Sequence, residues 1–418
     1  MVGAEAVASA TAKVVVREYD PVKDAEEVAE VERRCEVGPS GKMSLFTDLL
    51  GDPLCRIRHS PACLMLVAEI VENETQKGRI VGMIRGLIKT VTCGRKLPRD
   101  PSSDGHDRPQ PVPVLTKAAY ILGLRVAPTH RRMGLGFTLV SRMEDWFKQN
   151  GADYAYLATE NDNYASVNLF THKCGYSKFR TPSILVRPVF AHRVRVTQRA
   201  TIIGLTPPDA EALYRRRFST TEFFPRDIDS ILDNKLSLGT FLAVPSESGF
   251  GPDSWPGPNK FLSSPPESWA MVSVWTCAWK LEVRGASRVK TGLARTTRLF
   301  DRVMPWAKIP SFPDLFGPFG VHFMYGLGGE GPRAIDMVRA LSGFVHNMAR
   351  KHIGCAVVAT EVAGQEPLRL GVPHWKRLSC DEDLWCVKRL ADEYSDGSVG
   401  DWTKSQPGIS IFVDPREF

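Results

Sequence analysis

The sequence predicts a mixed α/β fold, with α and β segments built around a mixed sheet, repeated in two tandem lobes. Three observations predict it. First, apolar runs and helical periodicities over residues 14–190 follow the order strand, helix, two strands, loop, strand, helix, strand, helix, strand. That is the pattern of an α/β domain with one right-handed crossover. Second, the same order starts again at residue 201. Third, Leu157-Ala-Thr-Glu160 echoes Val358-Ala-Thr-Glu361, and the run Leu124–Gly151 is nearly as long as Gly326–Gly354. A diverged duplication explains these echoes, with generic α/β spacing as the alternative. The 418 residues fit two or three domains. The expected division is a disordered tail at 1–12, a first lobe at 13–195 and a second lobe with a C-terminal tail at 196–418.

In chain order, Val14–Val16 reads as a strand, and Asp20–Arg34 as a helix with acidic residues early and Val28 and Val31 at helical spacing. Cys63–Ala68 and Arg79–Ile84 are apolar runs around a polar turn, which is a hairpin. Residues 94–113 are rich in Pro, Asp and Ser and read as a surface loop. Ala118–Val126 is a strand. Gly134–Gln149 is a helix, with Phe137, Val140, Met143 and Phe147 on one face and Gly151 as its stop. Tyr154–Thr159, Asn163–Lys173 and Ser183–Pro188 read as strand, helix and strand. In the second lobe, strands are expected at Thr201–Leu205, Thr240–Val244, Trp269–Trp275, Val321–Tyr325 and Cys355–Thr360. Helices are expected at Ala210–Phe218 and Pro332–Lys351, the latter after a glycine loop, Gly326–Gly331.

Composition excludes several classes. Apolar residues are 43% and charged residues 24%, ordinary for a globular chain. The net charge of +7 is spread along the sequence, so no basic stripe marks a nucleic-acid binder. Nine cysteines without CxxC pairs argue against a disulfide scaffold or zinc ribbon, and no metal site is expected. No apolar run reaches the length of a membrane span, and the alanine-rich start lacks the features of a secretory signal. The nucleus and the cytoplasm are the expected compartments.

The chemistry is concentrated after the strand ending at Val126. Pro128 breaks that strand, and Arg131-Arg132-Met133-Gly134-Leu135-Gly136 leads straight into a helix. Free N–H groups at a helix start, together with the positive end of its dipole, make an anion cradle. Glycines let the backbone approach a diphosphate, and the two arginines add charge where phosphates lie. GxGxxG and GK[ST] are both absent, so neither a dinucleotide fingerprint nor a P-loop is present.

Arg131, Gly134 and Gly136, as R-x-x-G-x-G between strand and helix, resemble the acetyl-coenzyme A loop of the GCN5-related N-acetyltransferase (GNAT) superfamily. Glu160–Tyr176, in which an Asn opens a helix, is similar to the superfamily's second motif. Further stretches, Val31–Gly41, Phe46–Pro53, Arg217–Asp229 and Ile411–Phe418, resemble the plant HOOKLESS-type N-acetyltransferases over nearly the whole chain. The resemblance implies a GNAT-type acyltransferase fold. It also implies acetyl transfer from acetyl-CoA to a protein or small-molecule amine, histone or other nuclear protein included, in ethylene- and auxin-linked control of differential growth. Neither nucleic acid nor membrane is an expected partner, and a homo-oligomer is compatible with the sequence.

Carried over by residue, the resemblance assigns Leu124, Arg125 and Val126 to the pantetheine arm and thioester. Arg131, Arg132, Met133, Gly134, Leu135, Gly136, Phe137 and Thr138 fall to the diphosphate. Asn163 and Phe170 belong near the thiol end. Phe170 stands where the superfamily often has a Tyr that protonates the leaving thiolate. The stretch Thr171–Cys174 is also one residue longer than the usual spacing, and Tyr164, Tyr176 or His172 are the possible substitutes. The strand Ala118–Val126 carries no carboxylate, which leaves Glu160 as the candidate acid or base, with Tyr120 behind it; a helix-capping role is the alternative for Glu160. Glu330 in the second lobe's glycine stretch would repel a diphosphate, so that lobe is expected to be a degenerate copy. The rival to an enzyme is a weak or inactive acetyl-CoA-binding scaffold that regulates transcription through its C-terminal lobe.

Overall fold

In the computed structural model, residues 13–37, 43–71, 78–96, 112–391, 402–403 and 406–418 are described. The expected tail at 1–12 and residues 97–111 of the expected loop lie outside them. The chain opens with β1 (Lys13–Glu18), α1 (Ala25–Arg34), β2 (Ser44–Asp48), β3 (Ala62–Val71), β4 (Arg79–Lys96) and β5 (Val112–Val126). It continues through α2 (Leu135–Gln149), β6 (Tyr154–Glu160), α3 (Tyr164–Asn168), β7 (Ser177–Arg180) and β8 (Ser183–Pro188). Next come β9 (Ala200–Leu205), α4 (Pro207–Phe218), α5 (Ile228–Leu232), β10 (Ser237–Pro245), α6 (Pro258–Ser263) and β11 (Trp269–Thr276). The last elements are β12 (Lys280–Arg284), α7 (Arg288–Val303), β13 (Gly320–Glu330), α8 (Ala334–Ala349), β14 (Cys355–Val362) and β15 (Asp383–Arg389). Both ends of the expected 94–113 loop are strand, because β4 and β5 pair as far as Lys96 opposite Val112.

Two sheets carry the same strand order. The first runs β1-β3-β4-β5-β6-β15-β7, and the second, read from its other edge, runs β9-β10-β11-β13-β14-β8. In each, the fourth and fifth strands are the parallel pair around a crossover helix, α2 or α8. This is the duplication the sequence echoes pointed to.

Sheet membership does not change at residue 195, however. β8 leaves the first lobe and pairs with β14, while β15 returns from the second and pairs with β6 and β7. The link from β7 to β8 is Thr181-Pro182. A two-residue hairpin needs positive φ in its turn, whereas proline holds itself and its predecessor extended. The strand therefore runs on into the neighbouring sheet instead of folding back.

A second correction concerns Gly326–Gly331. These residues do not form a loop after a strand; β13 pairs with β11 as far as Glu330 opposite Trp269. Gly326 lies at a bulge in that ladder with φ 63°, and its counterpart is Gly123, φ 62°, at the bulge of β5. Each bulge reverses the alternation of side chains. Leu122 packs into the core shared by the two sheets, but Leu124 packs on the α2 side. In the same way Tyr325 faces the shared core and Leu327 the α8 side. That shared core joins the lobes, holding Tyr120, Tyr156 and Trp385 of the first sheet with Tyr214, Phe218 and Tyr325 around the second. A small sheet of β2 with β12 joins them again.

Candidate acyl-transfer site

The β5–β6 ladder spans only four residue pairs, Ala118↔Tyr154 to Ile121↔Leu157. Beyond it β5 continues to Val126 paired with β4, and β6 continues to Glu160 paired with β15. The two strands part at the Gly123 bulge and leave backbone edges facing each other across a slot. Such an edge offers donors and acceptors to an extended ligand. Buried Arg85 holds the bulge from behind: a Cβ on Gly123 would overlap its guanidinium, which donates to Glu32 Oε2 at 3.1 Å and to the Pro53 carbonyl at 2.8 Å. Arg125 Nη1 donates to the Leu124 carbonyl at 3.2 Å, and its Nε stands 3.5 Å from Glu32 Oε1.

At the open end of the slot a single turn, Pro128–His130, leads into the start of α2. Gly134 takes the left-handed conformation there, φ 84°, and among the described residues no side chain caps the helix. The first bond of the helix runs from Thr138 N to the Gly134 carbonyl at 3.1 Å, so the amides of Leu135, Gly136 and Phe137 lack intrahelical partners. The first turn holds no acidic residue. Arg131, Arg132 and Met133 are exposed around it, as are Phe137 and Thr138, while Leu135 is buried. Arg131 Nε also donates to the Val126 carbonyl at 3.3 Å. A Cβ on Gly134 would meet nothing within 4 Å, and one on Gly136 would meet Leu169 at 3.3 Å. The assigned loop residues thus converge on one uncapped, positively charged helix start.

Asn163 caps α3, its side chain accepting from Ser166 N at 3.3 Å. The helix expected through Lys173 becomes a π-turn at Leu169–Lys173, which absorbs the one extra residue noted in the sequence. Phe170 lies in that turn, buried against the α2 core with its ring 5.3 Å edge-on from Tyr176. Tyr176 is buried in the same cluster, whereas Tyr164 and His172 are exposed.

Glu160 is half-buried, and among the described residues its carboxylate takes no hydrogen bond; Asn163, not Glu160, is the cap. Directly across the ladder stands Asp383 of the exchanged strand. Burial, then the Glu160 charge, pushes Asp383 up to about 7. Burial and Asp162 raise Glu160 as well. Both residues lie on the sheet face of Trp385 and Tyr156, the same face as Tyr120. Burial, then Glu417 and Glu361, holds the Tyr120 phenol well above its ordinary value, so it keeps its proton at neutral pH. Glu361 is also raised, by burial and then Asp383, and accepts from Trp385 Nε1 at 2.8 Å.

Asp383, Glu361 and the segment Asp414–Glu417 escaped the sequence reading. Asp414 and Glu417 bind buried Lys89, Glu417 also accepts from the Tyr156 hydroxyl, and Arg416 reaches Asp227 at 2.6 Å. The one available signal for Glu361 was its place in the second Ala-Thr-Glu echo.

No corresponding loop exists in the second lobe. Only residues 331–333 separate β13 from α8, against 127–134 between β5 and α2. A Cβ on Gly331 would overlap the Glu267 carbonyl, and the Arg333 amide is already bound to Ser268 Oγ at 3.0 Å.

Residues 26–176 match the acetyltransferase (GNAT) family. The chain is 67% identical over 408 residues to "Probable N-acetyltransferase HLS1" of Arabidopsis thaliana, covering 97% of this chain and all of that protein. The chain belongs to the GNAT acetyltransferase family. A second relative, "Acetyl transferase GW6a" of Oryza sativa subsp. japonica, is 38% identical over 443 residues and 97% of each chain. Among solved structures, Saccharomyces cerevisiae N-myristoyltransferase with bound myristoyl-CoA shares the fold at a TM-score of 0.50 and 11% identity. That match covers 90% of this chain and 79% of that one. The GNAT match stops at Tyr176, well short of Asp383. Among the described residues no His, Cys, Asp and Glu cluster is arranged to hold a metal, and no helix is long and apolar enough to cross a membrane.

Proposed function

We propose that the first lobe transfers acetyl from acetyl-CoA to a primary amine at the point where β5 and β6 part. The observation that carries this reading is the slot itself, which runs from the uncapped start of α2 to the face bearing Tyr120, Glu160 and Asp383. The residues suit the cofactor: the amides of Leu135–Phe137 with Arg131 and Arg132 match a diphosphate, and the β5 edge that parts from β6 at Leu124–Val126 matches an amide-bearing arm, which would compete with Arg125 and Arg131 for the Leu124 and Val126 carbonyls. When bound, acetyl-CoA supplies an activated thioester.

The chain supplies position and proton handling. Backbone donors at the bulge stabilise charge developing on the carbonyl oxygen. Asp383, raised to about 7 opposite Glu160, takes a proton from the acceptor's ammonium and so frees the amine lone pair for attack. Tyr120 keeps its hydrogen until the C–S bond breaks, gives it to the departing sulfur, the service Phe170 cannot perform, and is restored by the second proton that the acceptor nitrogen loses as the amide forms. A thiol of pKa about 8.5 is itself a tolerable leaving group.

The stretches that resemble the plant HOOKLESS-type N-acetyltransferases extend this reading to ethylene- and auxin-linked differential growth, in the nucleus or cytoplasm. The second lobe acts as a degenerate copy that closes the acceptor side. The enzymatic reading is tested by incubating the chain with labelled acetyl-CoA and a panel of amines, peptides and histone tails, following CoA release and acetylated product by mass spectrometry. Binding without turnover on any amine, a result the hydroxyl-free Phe170 would favour, would leave a cofactor-binding scaffold.

A further inference from the structure

Helix α7 presents its apolar face to solvent. Val289 is 79% exposed, Leu293 65%, Leu299 62%, Phe300 53% and Val303 62%, and Trp306 just beyond the helix is 73% exposed. The inward side is small and polar instead. Ala294 and Asp301 are buried there, and Asp301 accepts from His192 Nδ1 at 2.6 Å, from Ala191 N at 2.7 Å and from the Ser311 hydroxyl. Arg298 adds a bond to the Val189 carbonyl. The helix is therefore docked by polar anchors, the reverse of the usual amphipathic arrangement. The outward positions 289, 293, 296, 300 and 303 alternate steps of four and three, the spacing of a helix–helix seam. Along one flank run Arg288, Arg295 and Arg302, seven residues apart, exposed and without an ion pair among the described residues.

We propose that this face of α7 docks an acidic amphipathic helix of a partner protein, its apolar stripe on Val289–Val303 and a row of carboxylates against the three arginines. Charge decides the occupant. The one acidic residue of α7, Asp301, is turned inward, so every charged residue on the outward side is basic and a second copy docking through the same face would meet it with like charge. A bilayer has no seven-residue repeat for a one-sided arginine row to match, whereas a partner helix does. This inference is independent of acetyl transfer.

The test uses the full chain and two labelled synthetic helices of about three heptads, identical in their leucine stripe, one with a glutamate row and one with a lysine row. Fluorescence anisotropy should show the glutamate helix binding about tenfold more tightly, the combined worth of three exposed pairs. The triple variant Arg288→Glu, Arg295→Glu, Arg302→Glu should reverse that preference, and Leu293→Ser with Phe300→Ser should abolish binding of both helices. All of these positions are exposed, and unchanged circular dichroism and acetyl-CoA binding would confirm intact folding. Equal binding of the two helices, binding of neither, tighter binding to phosphatidylserine vesicles that the same variants abolish, or self-association through this face would each overturn the proposal.

Discussion

Replacing Glu160 by glutamine removes one of two carboxyls that face each other across the β6–β15 ladder. Directly opposed Cβ atoms lie about 5 Å apart. At an effective dielectric of about 20, unit charges at that separation repel by about 3 kcal/mol, or about two pKa units. Asp383 stands at about 7 through burial and the Glu160 charge, so without that charge it should fall to about 5. Three results follow for Glu160→Gln. The ascending limb of kcat/KM against pH moves from near 7 to about 5. The plateau falls about tenfold because the remaining base is weaker. Affinity for acetyl-CoA, held elsewhere in the slot, does not change. Stability carries the same signature. The folded chain holds a proton that unfolded Asp383 gives up near pH 4, so stability declines as pH rises from about 4 to about 7, and the variant should flatten that decline. CoA release measured from pH 5 to 9, with urea unfolding at pH 5 and 8, gives both curves. A limb that stays at 7 with turnover within about twofold of the parent would refute the coupling of Glu160 to Asp383 and return Glu160 to a structural position.

The other predictions test the same slot and its support. Gly136→Asp places a carboxylate in the uncapped first turn of α2, where it favours the helix by about 0.3–1 kcal/mol yet opposes a diphosphate. The melting temperature should hold or rise slightly while calorimetric affinity for acetyl-CoA drops at least about tenfold; unaltered affinity would show that the cofactor lies elsewhere. Tyr120→Phe should lower turnover about 10²-fold with no change in acetyl-CoA binding, and full activity would remove Tyr120 from proton transfer. Phe223 is buried among Tyr156, Phe179, Trp385 and Trp402, stacked on the last at 4.4 Å. Phe223→Ala should cost about 3–5 kcal/mol in chemical denaturation, and a loss under about 1 kcal/mol would mean that this aromatic cluster is not what joins the lobes.

By itself the sequence determined what is contiguous. The strand ending at Val126, the R-x-x-G-x-G turn and the amphipathic start of α2 are neighbours along the chain, and helix capping and dipole act within a single turn, so the cradle is written locally. The repeat was legible for the same reason, since strand order follows from local periodicity and short connections. Gly326–Gly331 misled because a run of glycines signals backbone freedom without saying where the freedom is used. The β11 partner made it a bulge at Gly326, not a phosphate loop.

Only the tertiary structure decided the rest. It set Asp383 opposite Glu160, because Thr181-Pro182 carries β8 straight into the second sheet and the vacated place is filled by β15. It also buried Asp414 and Glu417 on Lys89, and turned the apolar stripe of α7 outward by anchoring Asp301 inward. Periodicity places side chains on a common face, but which face is buried, and which distant residue comes to lie beside it, depends on partners that only the folded chain supplies.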